Sequence, residues 1–374
     1  MHQLTRRNAL YGMLVATTFM VLPTSAKAQT EIIEGYPQSY NDIVSEAEKE
    51  GSVVIYANTE NAAVAPILAD FQKKFPKIRL DYIEIKAADL YSRVSSEAAA
   101  NALKADIVWS SAMDLQYQMV QEGFAAEYTS PETKNIPEWA SYGNKLYAVT
   151  FEPVVFVYNS RLVSPDEMPK TRLGLAKFLE NNADRFKGKV TTYDPQRSGL
   201  GFFAVSHDAK INDDLWSLVK AFGTTDTKFY VSTGTMLEKI GAGEHAIAYN
   251  IIGPYAYLRA ARDQNVKIVV PEDFTLILSR SAYIVKNASH PNAARVFLDY
   301  LLSRPGQMVI ANEAHLFSIR ADVEGEATAA RLTTQYGEHL KPVSVNDSLA
   351  DDLSPVKRMT FFRKWDQVFK AGQR

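Results

Sequence analysis

Residues 52–57, Ser-Val-Val-Ile-Tyr-Ala, form a short β-branched run that ends in the polar cluster Asn58-Thr59-Glu60-Asn61. Apolar residues then recur at helical spacing, at Val64, Ile67, Leu68, Phe71 and Phe75, until Pro76 closes the segment. The alternation repeats with a predicted strand over 78–85, an alanine-rich helix over 90–103 and a strand over 105–112 that ends in Ser110-Ser111. Strand, helix, strand, helix, strand within about sixty residues is the rhythm of a parallel sheet. In open sheets of this kind the ligand crevice lies beyond the carboxyl ends of the strands, where both polar clusters fall.

The pattern changes over 147–158, a long extended run with Pro153 inside it. Proline removes a ladder donor, so the run reads as a strand that leaves one sheet and enters another. A second α/β pattern follows, with strands over 189–195 and 267–273 and a helix near 213–222. Another extended run, 275–287, returns the chain to the first sheet. A helix begins at Pro291, and the last fifty or so residues read as mainly helical. The expected architecture is α/β: two lobes, two crossover strands at a hinge and a helical C-terminal segment. The expected bounds are 29–152 with 282–374 for lobe 1 and 153–281 for lobe 2. Such a hinged pair closes around a ligand.

The chain has 374 residues, 46% hydrophobic, with a net charge of −2, enough for two domains and without the basic footprint that nucleic acid or an acidic membrane surface demands. Its 19 tyrosines suit a cleft lined by flat, half-polar rings. Cysteine is absent, which excludes disulfides, lipid attachment at cysteine and cysteine catalysis. Residues 1–28 read as a cleavable export signal, with Arg6-Arg7, an apolar stretch over 9–22 and Ala26-Lys27-Ala28 before Gln29. Thr5-Arg6-Arg7-Asn8 resembles a twin-arginine signal, and both that route and the general secretory route stay open. The mature chain is expected free in the periplasm, as a monomer.

Residues 231–250, VSTGTMLEKIGAGEHAIAYN, place Ser232, Thr233, Gly234 and Thr235 at the start of a predicted helix. Helix starts carry free N–H groups and a partial positive charge, so they hold anions; such residues also simply cap helices. A second small-residue turn, Ser198-Gly199-Leu200-Gly201 with Arg197 beside it, offers the same two readings.

Three stretches, 50–82, 105–112 and 290–307, resemble the extracellular solute-binding proteins of ABC importers. Within these the chain is similar to the cluster of ferric-iron, phosphonate, sugar-phosphate and thiamine binders, over nearly the whole mature length. The resemblance implies a periplasmic-binding-protein clamshell of type II-like form, no catalysis, no cofactor, and two partners: a small solute and an inner-membrane permease. It implies a cleft built from Asn58, Thr59, Ser110 and Ser111 on the first lobe. Arg197, Ser198, Gly199 and Ser232–Thr235 come from the second, with Tyr249, Asn250 and Tyr255 near the hinge. The favoured solute carries phosphate, phosphonate or carboxylate.

Ferric ion is the alternative cargo, and Glu152, Tyr249 and Tyr255 are the oxygen donors that would assemble for it. No adjacent tyrosine pair marks that region, and His207, His245 and His290 read as surface or cap residues. A periplasmic sensor subunit for a membrane kinase would share the same fold.

Overall fold

The computed structural model describes residues 36–374, so the expected export segment lies outside the described residues. The β-branched runs become β1 (Ser52–Ala57), β2 (Arg79–Glu84), β3 (Ile107–Ser110), β4 (Ser141–Tyr142) and β5 (Leu146–Ala148). Next come β6 (Glu152–Asn159), β7 (Val190–Tyr193), β8 (Lys228–Tyr230), β9 (Ile247–Ile252), β10 (Val266–Val269) and β11 (Thr275–Leu278). The last two are β12 (Ser281–Ile284) and β13 (Leu340–Pro342).

These strands make two sheets. The first has the order β2-β1-β3-β12-β5-β4, and the second β13-β11-β6-β9-β7-β8, with β10 on β6. β1 pairs in parallel with β2 and β3, and β7 pairs in parallel with β8 and β9. Helical crossovers join these parallel strands: Asn61–Lys74 and Ala87–Ala99 in the first lobe, Gly199–Ile211, Asp214–Thr224 and Thr233–Ala242 in the second. The Ala87–Ala99 helix stops short of the predicted 103 because Asn101 takes a left-handed φ of 51°.

The two extended runs break where the chain changes sheets. Run 147–158 divides into β5 and β6, with Pro153 as the second residue of β6, and run 275–287 divides into β11 and β12 at Ser279-Arg280. All eight residues of β6 are buried, as expected for a strand covered on both faces. On one face of the second sheet Phe156, Leu218 and Phe222 pack together; on the other Val157, Met236 and Ile240 do. The first lobe centres on Tyr56, Phe71, Trp109 and Phe297.

The stretch 282–374 does not remain with the first lobe as its pattern suggested. β13 pairs with β11 in the second sheet, and the Ala350–Leu353 helix then packs on the first-lobe helix Met113–Gln121. The final helix, Pro355–Gly372, packs on Asp214–Thr224 of the second lobe. The reason is its aromatic stripe. Phe361 and Trp365 stack, Phe361 meets Trp216, and Phe369 meets Phe229, so the stripe completes the second core.

Candidate functional site

A cavity of about 220 Å³ opens between the two sheets. Every wall segment follows from topology. Asn58 lies just past β1 and Ser111 just past β3, while Val231 to Gly234 follow β8. Glu152 and Leu278–Arg280 come from the two crossings. The carboxyl ends of the parallel strands therefore supply the donors, as the crevice rule requires.

On the first lobe, Asn58 and Ser111 lock each other. Asn58 Nδ2 donates to Ser111 Oγ at 2.9 Å, and Ser111 N donates to Asn58 Oδ1 at 3.0 Å. Since Ser111 Oγ accepts from Asn58, its own proton is free to donate. On the second lobe, Ser232 Oγ accepts from Thr235 N at 3.2 Å, so Ser232 is a true N-cap. Thr233, one position on, is buried and hydrogen-bonds the Tyr193 hydroxyl, and both line the cavity. Burial pushes the Tyr193 hydroxyl up, so it stays protonated. Gly234 also lines the cavity, and a Cβ there would meet nothing within 4 Å.

Arg280 and Glu152 form the back wall, each side chain 2% exposed. Arg280 Nε donates to Glu152 Oε1 at 2.7 Å and Nη2 to Oε2 at 3.2 Å, while Nη1 donates to Thr59 Oγ1 at 2.7 Å. Tyr255 is half-buried, and its hydroxyl lies 3.4 Å from Arg280 Nη2.

Of the expected residues, Asn58, Ser111, Ser232, Thr233, Gly234 and Tyr255 are brought together at the cavity. Thr59 stands behind the wall as the acceptor of Arg280. Ser110 is turned inward, where its Oγ accepts from Ala112 N. Thr235 serves the cap. Ser198 caps the Gly199–Ile211 helix by accepting from Gly201 N at 3.0 Å, and Leu200 of that turn is what lines the cavity. Gly199 faces open space, whereas a Cβ on Gly201 would sit 2.5 Å from that of Tyr193. The close approach therefore belongs to Gly201. Arg197 is exposed, away from the cavity wall.

Tyr249 and Asn250 belong to the second core. The Tyr249 hydroxyl donates to Asp208 and accepts from Arg172 Nε at 3.0 Å, and Arg172 Nη2 in turn donates to Asp208 at 2.8 Å. Asn250 sits at φ 59° beside a bulge in the β6–β9 ladder and donates to the same Asp208. The oxygen set Glu152, Tyr249 and Tyr255 is thus not brought together. Both Glu152 oxygens already accept from Arg280, and burial pushes the Tyr249 hydroxyl well above its ordinary range. Among the described residues no group of three His, Asp or Glu has metal-binding spacing.

The histidines also depart from expectation. His207 and His245 are buried, bonded to Asp352 and Tyr230, and only His290 stands at a helix start, where it pairs with Asp106. Arg280, Tyr193, Ser279 and the apolar wall residues Val231, Ile252 and Leu278 were not singled out from the sequence, whereas Glu60 and Leu200 belong to the two loops expected at the cleft and do line it. The available signal for Arg280 was a lone arginine inside the second crossover run, TLILSRSAYIVKN, at the break between its two strands.

Residues 66–335 match the family model for bacterial extracellular solute-binding proteins. The chain belongs to this family. In three dimensions it is similar to the substrate binding protein of an ABC transporter from Agrobacterium tumefaciens, at 33% identity and a TM-score of 0.79, covering 85% of this chain and 94% of that one. The periplasmic binding protein AfuA from Actinobacillus pleuropneumoniae, solved with fructose-6-phosphate, shares the fold at 20% identity and a TM-score of 0.67, covering 86% and 99% of the two chains. Iron-bound HitA from Pseudomonas aeruginosa shares it at 17% identity and 0.66, covering 85% and 99%. The two-lobed α/β fold of this solute-binding protein is that of its neighbours.

Proposed function

We propose that this solute-binding protein is the periplasmic substrate-binding component of an ABC importer, and that it captures a small solute carrying a phosphate, phosphonate or carboxylate group between its lobes. One observation carries the reading: a single small cavity gathers the Ser111 hydroxyl, the start of the Thr233–Ala242 helix and Arg280 from both sheets and a crossing. Neutral N–H and O–H donors at a helix start hold an anionic group without the desolvation cost of buried lysines. The Agrobacterium relative is described as serving an ABC transporter, and AfuA holds a sugar phosphate, in keeping with both halves of the reading.

Ferric ion fits less well, because the wall carboxylate is engaged by Arg280 and Tyr249 is occupied in the core. A thermal-shift screen of sugar phosphates, phosphonates, carboxylates, polyamines and ferric citrate tests the proposal. Compounds that bind only the folded state raise the melting temperature by linkage. Anionic organic solutes are expected to do so; a response confined to polyamines or to ferric citrate overturns the reading.

A further inference from the structure

Glu152 and Arg280 stand at the β5–β6 and β11–β12 crossings between the sheets, and their side chains form the wall of the cavity. The guanidinium has five N–H groups. Two go to Glu152, one to Thr59 and one points to Tyr255, which leaves a single N–H on Nη1. Glu152 Oε1 accepts a further bond from Thr150 Oγ1 at 2.8 Å, so the carboxylate is fixed against the cation.

The charge balance of the cavity follows. Its ionisable carboxylate and cationic side chains are Arg280, Glu152 and the exposed Glu60 at the rim. A neighbouring cavity of about 680 Å³ shares Glu60, Gly234 and Tyr255 with it and is lined by Glu238, Asp263 and Glu313 beside Arg259, Arg262 and His315. No side chain gives the inner cavity a net positive charge. The positive field that remains is the helix start, equivalent to about half an elementary charge. A monoanion meets enough donors in such a place. A second negative charge would enter a half-enclosed site beside Glu152 with nothing to offset it, which is the costly case.

We infer that Glu152 is the specificity-determining residue of this site: by neutralising Arg280 it excludes obligate dianions and admits solutes whose anionic group is singly charged or keeps a proton. Carboxylates and singly ionised phosphoryl groups qualify; inorganic sulfate does not. The inference rests on the reading that this cavity receives the solute's anionic group.

Inorganic sulfate is the probe, titrated calorimetrically into the intact protein with chloride-matched buffer. The native protein is expected to show no saturable binding at millimolar sulfate. Glu152→Gln uncovers the guanidinium charge, and its sulfate affinity is expected to rise about tenfold or more, the effect of one strong charge-assisted bond. The double variant Glu152→Gln/Arg280→Gln is expected to lose that gain. A folded Glu152→Gln protein with no gain, or a native protein that binds sulfate as tightly as the variant, overturns the assignment.

Should Glu152→Gln not fold, Val231→Arg decides. Val231 lines the cavity at 53% exposure, so the change adds a cation without touching the buried pair. A gain in sulfate binding there supports the charge filter, and none overturns it. Failure of the broader reading is distinguishable, because blocking the cavity at Gly234 would then leave the affinity of the organic solute found by thermal shift unchanged.

Discussion

Gly234 separates capping from binding at the start of the Thr233–Ala242 helix. Its φ is not positive and its missing Cβ points into open cavity, so Gly234→Ala is expected to stabilise the protein by roughly 0.5–1 kcal/mol through helix propensity. The same methyl intrudes on the solute, and affinity measured by calorimetry is expected to fall. Ser232→Ala should act oppositely on stability, lowering it in denaturant melts by roughly 0.5–2 kcal/mol through the lost cap. Tyr249→Phe is expected to cost about 1.5–3 kcal/mol, the worth of hydrogen bonds to charged groups, while leaving solute affinity unchanged. These residues show where the sequence was readable. Asn58, Ser111 and Ser232–Gly234 follow strands directly, so a local rule places them. Tyr249 lies inside β9, buried at every position, and no alternation there tells a wall residue from a core residue. Arg280 reaches Thr59 across 221 residues of chain, a contact that no local pattern announces.

At the scale of elements, the strands and crossings were legible because β-branched runs and proline act locally. The destination of the C-terminal segment was not, since an amphipathic stripe does not name the surface it will cover. That segment touches both lobes. Tyr117 and Tyr142 of the first lobe donate to Asp347, and Asp352 accepts from Ser206, His207 and Lys210 of the second. Burial raises the Asp352 carboxyl, but the bonds from His207 and Lys210 outweigh it and hold the group below its ordinary value. Its contribution to stability is therefore present above the unfolded value and lost as pH falls. Asp352→Asn is expected to lower stability at neutral pH by about 1.5–3 kcal/mol in denaturant melts.

Asp114, on the first-lobe helix facing this segment, behaves in the reverse sense. Burial pushes its carboxyl up to about 6, with the Asp352 charge adding to the rise. Folding thus favours its protonated form, and the advantage fades as pH climbs from the unfolded value of 3.8 through about 6. Asp114→Asn is expected to be more stable than the native protein above pH 6, with the difference closing toward pH 4. Parallel melts across that range check the sign.

For the whole molecule, the short β5–β6 and β11–β12 crossings place the cavity at a seam where strand ends from both lobes meet. Composition and rhythm were enough to expect that seam. Its charge balance was not visible, because it depends on which arginine meets which carboxylate. The central claim is that a solute is gripped from both sides of the seam. The chain contains no cysteine, so Ala62→Cys and Glu238→Cys place two spin labels across the mouth without competing sites. Their distance distribution is measured before and after addition of the solute that raises the melting temperature. The account predicts a collapse to one short, narrow distance on binding, while a solute that binds by calorimetry yet leaves the distribution unchanged would contradict it.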